Sequence, residues 1–129
     1  MTALSGSEAL PVAPSDDLVA LRDALRRFAD ERAWGRFHTP KNLAMALAGE
    51  VGEVLAHFQW LDGEESAALD QAARREVALE LADVLLYLVR LADVLDVDLG
   101  EAARDKLAIN AVRYPVDKAH GRATKYDKL

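Results

Sequence analysis

The sequence predicts an all-α protein built on four principal helices, and three observations carry that prediction. Apolar residues recur at spacings of three and four along the 129 residues, and no stretch shows the strict alternation of a half-buried strand. Hydrophobic residues reach 51% while aromatics are only 6%, so Ala and Leu dominate, as in helices packed on helices. Helix starts and stops are marked at Ser15, Thr39-Pro40, Asp98 and Pro115. A chain of this length supports one domain with a real core, not two.

Residues 1–14 are small and polar with two prolines and read as a flexible tail. Ser15 is the N-cap of the first helix, with Asp16 and Asp17 in the turn where the helix dipole favours them. Leu18, Leu21, Leu25 and Phe28 give its apolar stripe, and it should end near Trp34-Gly35. Thr39 caps the second helix and Pro40 occupies its first position; the helix should run to about Gln59. Asp62-Gly63 marks a turn, and the Ala-rich stretch from Ser66 to Arg75 reads as helical. The third helix continues to about Leu95. Asp98 with Glu101 opens the fourth as a capping-box-like start. This helix should carry Ala103, Leu107, Ala111 and Tyr114 inward, beside a polar stripe of Lys106, Asn110 and Arg113, until Pro115 stops it. Residues 115–129 form a basic C-terminal tail, either disordered or folded over a phosphate.

Two acidic pairs stand out, Glu50-Val51-Gly52-Glu53 and Glu80-Leu81-Ala82-Asp83, each at spacing i, i+3. On a helix that spacing puts both carboxylates on one face. With ~100° per residue, Leu43, Leu47, Val54 and Phe58 share one narrow stripe with Glu50 inside it and Glu53 at its edge. Val77, Val84, Tyr87, Leu91 and Leu95 form the stripe of the third helix, with Glu80 in its middle and Asp83 beside it. A carboxylate centred on an apolar stripe needs compensation, and clustered like charges repel. A hard divalent cation such as Mg²⁺ answers both needs, because it takes oxygen ligands and tolerates substrate phosphates as partners. The competing explanation is pairing with a cation of the chain, for which Arg74, Arg75 and Arg90 are near in sequence.

Charge and composition exclude other classes. The net charge of −6 argues against binding polymeric nucleic acid. It is unevenly spread: from Arg113 onward five Lys or Arg face two Asp, so the basic end suits phosphate while the acidic body suits metal. There is no cysteine, hence no disulfide, thiolate metal site or cysteine nucleophile, which accords with a reducing cytoplasm. The N-terminus lacks the pattern of a signal peptide. The most apolar segment, Leu79 to Leu95, is broken by Glu80, Asp83, Arg90 and Asp93, and is a core helix rather than a membrane span. Neither acidic pair has the histidine that a ferritin-like di-iron site expects.

Taken in order, Trp34-Gly35-Arg36-Phe37-His38, Gly49-Glu50-Val51-Gly52-Glu53, Phe58-Gln59-Trp60, Glu80-Leu81-Ala82-Asp83-Val84-Leu85-Leu86-Tyr87-Leu88, Arg113-Tyr114-Pro115-Val116 and Lys125-Tyr126 resemble the MazG-like all-α nucleoside triphosphate pyrophosphohydrolases, most closely their dCTP pyrophosphatase branch. The resemblance covers about residues 18–126. It implies a four-helix protomer assembled into a homodimer or a homotetramer formed as a dimer of dimers, with a helical catalytic domain over residues 15–114. It implies Mg²⁺-dependent cleavage of a deoxynucleoside triphosphate, dCTP or a modified dCTP, to the monophosphate and pyrophosphate. Glu50, Glu53, Glu80 and Asp83 match the metal ligands, and Glu53 is the candidate catalytic base. Trp34, Arg36, Phe37, His38, Trp60 and Tyr87 match the nucleotide pocket, and Lys106, Asn110, Arg113 and Lys125 the phosphate contacts. Ala56-His57 departs from the family pattern, where an acid and an apolar residue are common; His57 either touches the site or simply packs. Two rival functions share these features: a nucleotide-binding protein without catalysis, and a helical interaction protein.

Overall fold

The computed structural model describes residues 16–129; the tail of residues 1–14 and the Ser15 cap lie outside the described residues. The elements in order are α1 (Asp16–Glu31), a 3₁₀ turn (Gly35–Phe37), α2 (Pro40–Ala56), α3 (Gly63–Ala67), α4 (Gln71–Val94), α5 (Leu99–Arg113), α6 (Val116–Ala119) and a 3₁₀ turn (Tyr126–Lys128). No strand occurs among the described residues. The all-α class holds, and the four principal helices are α1, α2, α4 and α5. The chain divides into two compact units, Asp17–Val97 and Asp98–Leu129.

In the first unit the local chemistry explains each helix end. α1 stops at Glu31, short of Trp34, because Ala33 turns left-handed at φ 52°. The Ala33 N–H then donates to the Asp30 carbonyl at 3.0 Å and the Trp34 N–H to the Ala29 carbonyl at 2.9 Å, closing the helix as a Schellman-type cap. Thr39 caps α2 as expected, its hydroxyl accepting from the Asn42 N–H at 3.2 Å, with Pro40 in the first position. The stretch from Ser66 to Arg75 is not one helix. Asp62 and Glu65 form a full capping box that starts α3 earlier, at Gly63. Asp70 then accepts from the Ala73 N–H at 2.8 Å and starts α4 afresh.

α2 and α4 pack on each other and supply most of the core. Leu43 is the most deeply buried large side chain, joined by Val77, Val89, Ala92 and, from α1, Ala29. The apolar stripes read from the sequence are present: Leu47 and Val54 on α2, Phe58 in the turn after α2, which ends at Ala56 rather than near Gln59, and Val84, Tyr87 and Leu91 on α4 are half-buried. Leu95 is the exception, exposed at the C-cap of α4. Glu50 and Glu80 are half-buried within their stripes, while Glu53 and Asp83 are exposed at the edges.

In the second unit, Asp98 caps α5 by accepting from the Glu101 N–H at 2.9 Å. The inward face expected for α5 is not covered: Ala103, Leu107, Ala111 and Tyr114 are all exposed. A unit of this length holds too little chain to bury a full helix stripe. Its order comes instead from an aromatic clamp. Tyr114 meets Tyr126 edge-on at 6.0 Å, and the Arg113 guanidinium lies 4.7 Å from the Tyr126 ring centre. No described helix is long and apolar enough to cross a membrane.

Candidate functional site

α2 and α4 face each other with their acidic turns in register. Glu50, Glu80 and Asp83 each offer a carboxylate oxygen within 4.8 Å of the others. Among the described residues no Lys or Arg pairs with any of the three; Arg90 is engaged elsewhere, which removes the structural ion-pair explanation. The one basic group within reach is His57, whose Nε2 lies 3.9 Å from Glu80 Oε1, so His57 touches the site. The Glu50 carboxyl is pushed above the usual range, first by removal from water and then by the charges of Asp83, Glu80 and Glu53. Such a set stores repulsion that a hard cation would relieve, and an all-oxygen donor set suits Mg²⁺. Glu53 stands apart from the three converging oxygens, exposed on the same face one turn further along α2.

Beside the acids lies a cavity of about 170 Å³ between α1, α4 and the loop before α2. Phe28, Trp34 and Tyr87 supply its aromatic walls, Leu25, Ala29 and Leu86 its aliphatic ones, and His38, Asp83 and Arg90 its polar groups. Asp83 belongs to both cavity and acidic cluster. The aromatic wall is built edge to face: Phe28 meets Trp34 at 5.7 Å, and Trp34 meets His38 at 6.1 Å. Of the residues matched to a nucleotide pocket, Trp34, His38 and Tyr87 therefore come together. Arg36 and Phe37 do not line the cavity; they stack on each other at the surface, 4.7 Å from guanidinium to ring centre. Trp60 is 87% exposed and also lies outside it. Lys106, Asn110, Arg113 and Lys125 belong to the 98–129 unit, where Asn110 is half-buried and the three cations are exposed.

The MazG-like family model matches residues 46–129, which contain all four acids. The chain belongs to the MazG-like family. The bovine protein named dCTP pyrophosphatase 1 is 47% identical over 104 residues, covering 79% of this chain and 62% of its own length. The human protein of the same name is 43% identical over 118 residues, covering 90% of this chain and 69% of its own. The chain thus spans about two thirds of the length of these relatives. A crystal structure of a pyrophosphatase from Archaeoglobus fulgidus superposes with a TM-score of 0.73 at 41% identity, covering 77% of this chain and 93% of that one.

One part of this MazG-like site escaped the sequence reading. Asp93 accepts a two-pronged hydrogen bond from Arg26 of α1, with Nη2 to Oδ1 at 2.6 Å and Nε to Oδ2 at 3.1 Å. The same Oδ2 accepts from Arg90 Nη1 at 3.2 Å, and Arg90 Nε donates to His38 Nδ1 at 3.0 Å. The Arg26 hydrogen bond, opposed by burial, holds the Asp93 carboxyl below its usual range. Arg90 is the one buried charged residue described. The signal was available: Arg90 and Asp93 interrupt an apolar helix at spacing i, i+3, just as Glu80 and Asp83 do.

Proposed function

We propose that the protein hydrolyses a deoxynucleoside triphosphate to the monophosphate and pyrophosphate with Mg²⁺, dCTP or a modified dCTP being the preferred substrate. The observation that carries the reading is the shared position of Asp83, which joins three converging carboxylates to an aromatic-walled cavity. The aromatic walls of that cavity, Phe28, Trp34 and Tyr87, suit a planar base. Both cytosine specificity and the reaction itself draw support from the relatives named dCTP pyrophosphatase 1.

In this reading Glu50, Glu80 and Asp83 hold the cation, with Glu53 beside them. A divalent ion there supplies electrostatic stabilisation of the phosphate charge and lowers the pKa of an attacking water. Glu53, exposed next to the cluster, takes the proton of the water that attacks the α-phosphorus. Trp34 and Tyr87 flank the base, and stacking of this kind contributes ~1–3 kcal/mol per base. Arg36, Phe37 and Trp60 are exposed candidates for further substrate contact, and Lys106, Asn110, Arg113 and Lys125 are candidate phosphate ligands by their charge and hydrogen-bonding capacity. The protein acts as at least a dimer.

Product analysis with dCTP, with and without Mg²⁺, tests the reading. Release of dCMP and pyrophosphate only with the metal is expected, and Glu50→Gln or Asp83→Asn should abolish it. Release of dCDP and phosphate would overturn attack at the α-phosphorus. Equal rates on all four deoxynucleoside triphosphates would remove the cytosine preference.

A further inference from the structure

The chain of side chains from Arg26 through Asp93 and Arg90 ends on a single atom, His38 Nδ1. An arginine can only donate, so Nδ1 must accept and carries no proton. A neutral imidazole has one N–H, and here it must be on Nε2. Arg90 cannot swing away easily: it is buried, and Asp93 pins its other end. Asp93 is itself pinned by the two-pronged bond from Arg26. Three residues on two helices thus fix which nitrogen of one ring is protonated.

Nε2 is the atom left over. No described residue takes it as a hydrogen-bond partner, and no buried side-chain nitrogen or oxygen is left unsatisfied, so Nε2 is open rather than sealed in the core. Its ring lines the 170 Å³ cavity together with Trp34 and Tyr87. His38 is also held neutral: burial and then the Arg90 charge push its pKa below the usual value. A neutral ring beside an arginine is a poor ligand for phosphate and a good neutral donor.

Resting on the functional reading above, in which His38 lines the nucleotide pocket, we propose that Arg26, Asp93 and Arg90 set how His38 reads the base. Locked as the Nε2–H tautomer by the Arg26–Asp93–Arg90 chain, His38 donates a hydrogen bond to the unprotonated ring nitrogen N3 of cytosine. Aromatic walls accept any base, whereas a donor of fixed position rejects a ring edge that presents N–H to it. Cytosine presents an acceptor at N3, where uracil and thymine carry N–H, whereas the 2-carbonyl is common to all three and does not discriminate. Arg90, Asp93 and Arg26 are therefore positioning residues that act through His38.

The test begins on the protein without substrate or metal. Long-range proton–nitrogen correlation spectra of the imidazole rings should show His38 as the Nε2–H tautomer at neutral pH. Arg90→Gln should turn it into a mixture of tautomers, and if that variant does not fold, Arg26→Gln, at the exposed end of the chain, should loosen the preference in the same direction. Adding dCMP without metal should move the His38 Nε2 proton signal. In kinetics on dCTP, His38→Asn keeps an acceptor for Arg90 but loses the far donor, and should raise KM by about threefold to tenfold with a smaller change in kcat. His38→Gln, which carries an amide N–H near the Nε2 position, should recover part of that loss. An Nδ1–H tautomer in the wild type, or a signal that ignores dCMP, overturns the proposal. Failure of every triphosphate to be hydrolysed overturns the functional reading instead, while the tautomer spectra still judge the lock.

Discussion

Glu50 shows how a single residue can serve a site at the expense of the fold. Its carboxyl is half-buried on an apolar stripe and faces the charges of Asp83, Glu80 and Glu53. Its folded pKa is raised, so the stability it contributes is fully present below the ordinary value of 4.5 and is lost as pH rises through the folded value. At neutral pH the ionised group opposes folding. Glu50→Gln should therefore melt at a higher temperature than the wild type in metal-free buffer, even while losing activity as the proposed metal role expects. Mg²⁺ should then stabilise the wild type more than the variant, because only binding to the folded state raises stability. Differential scanning calorimetry with chelator and with Mg²⁺ measures both; a variant less stable than wild type in chelator contradicts the repulsion. His38 has the opposite sense. Its folded pKa is lowered, so its contribution is present above the ordinary 6.5 and is lost as pH falls through the folded value. Urea unfolding over pH 7 to 5 should show a decline in wild-type stability that is shallower in His38→Gln. Parallel slopes would mean that His38 ionises freely in the folded protein.

At the level of elements, periodicity was a good guide to faces and a poor guide to ends. The stripes holding Glu50 and Glu80 were legible because burial on α2 and α4 follows the ideal helical turn, which is why the acids could be found before any coordinates. The end of α1 was not, because Ala33 carries no turn signal: its left-handed φ of 52° is imposed by the cap hydrogen bonds, not favoured by its side chain. Asp96, at φ 55° after α4, occupies a similar position with a residue type that tolerates it better. The start of α3 was hidden for another reason. Asp62-Gly63 reads as a turn, yet Asp62 is an N-cap whose partner Glu65 completes the box. The Arg26–Asp93–Arg90–His38 chain was illegible because its partners come from α1, α4 and the loop between α1 and α2, a juxtaposition that only tertiary packing creates. Ala33→Gly isolates the first of these effects. Removing the Cβ relieves the left-handed strain and adds some backbone entropy to the unfolded chain, and the balance should stabilise the protein by about 0.5–1 kcal/mol. Chemical denaturation measures it, and a loss of stability would show that the αL cap carries no strain.

For the whole molecule the deciding fact is how little of the apolar surface a single chain covers. Within the 17–97 unit, Met45, Val51 and Leu55 on α2 and Leu79, Leu81 and Leu85 on α4 are all exposed, with Met45, Leu55 and Leu79 each at 60% or more. Leu81 and Leu85 lie one turn apart on α4, so they form part of one face rather than scattered residues. Two helices that hide one stripe against each other and leave leucines on another side offer a surface for a partner, and a further copy of the chain is the partner always available. Light scattering should give at least twice the chain mass of 14.1 kDa. The melting temperature should rise with protein concentration, because association is linked to folding. Leu81→Lys with Leu85→Lys places two charges on the face and should lower both the mass and the concentration dependence. If the wild type runs at the mass of one chain across a hundredfold dilution series, these leucines are simply solvated and the assembly is wrong. If the double variant keeps the wild-type mass, the interface lies on another face, and Met45 and Leu55 of α2 are the next residues to charge.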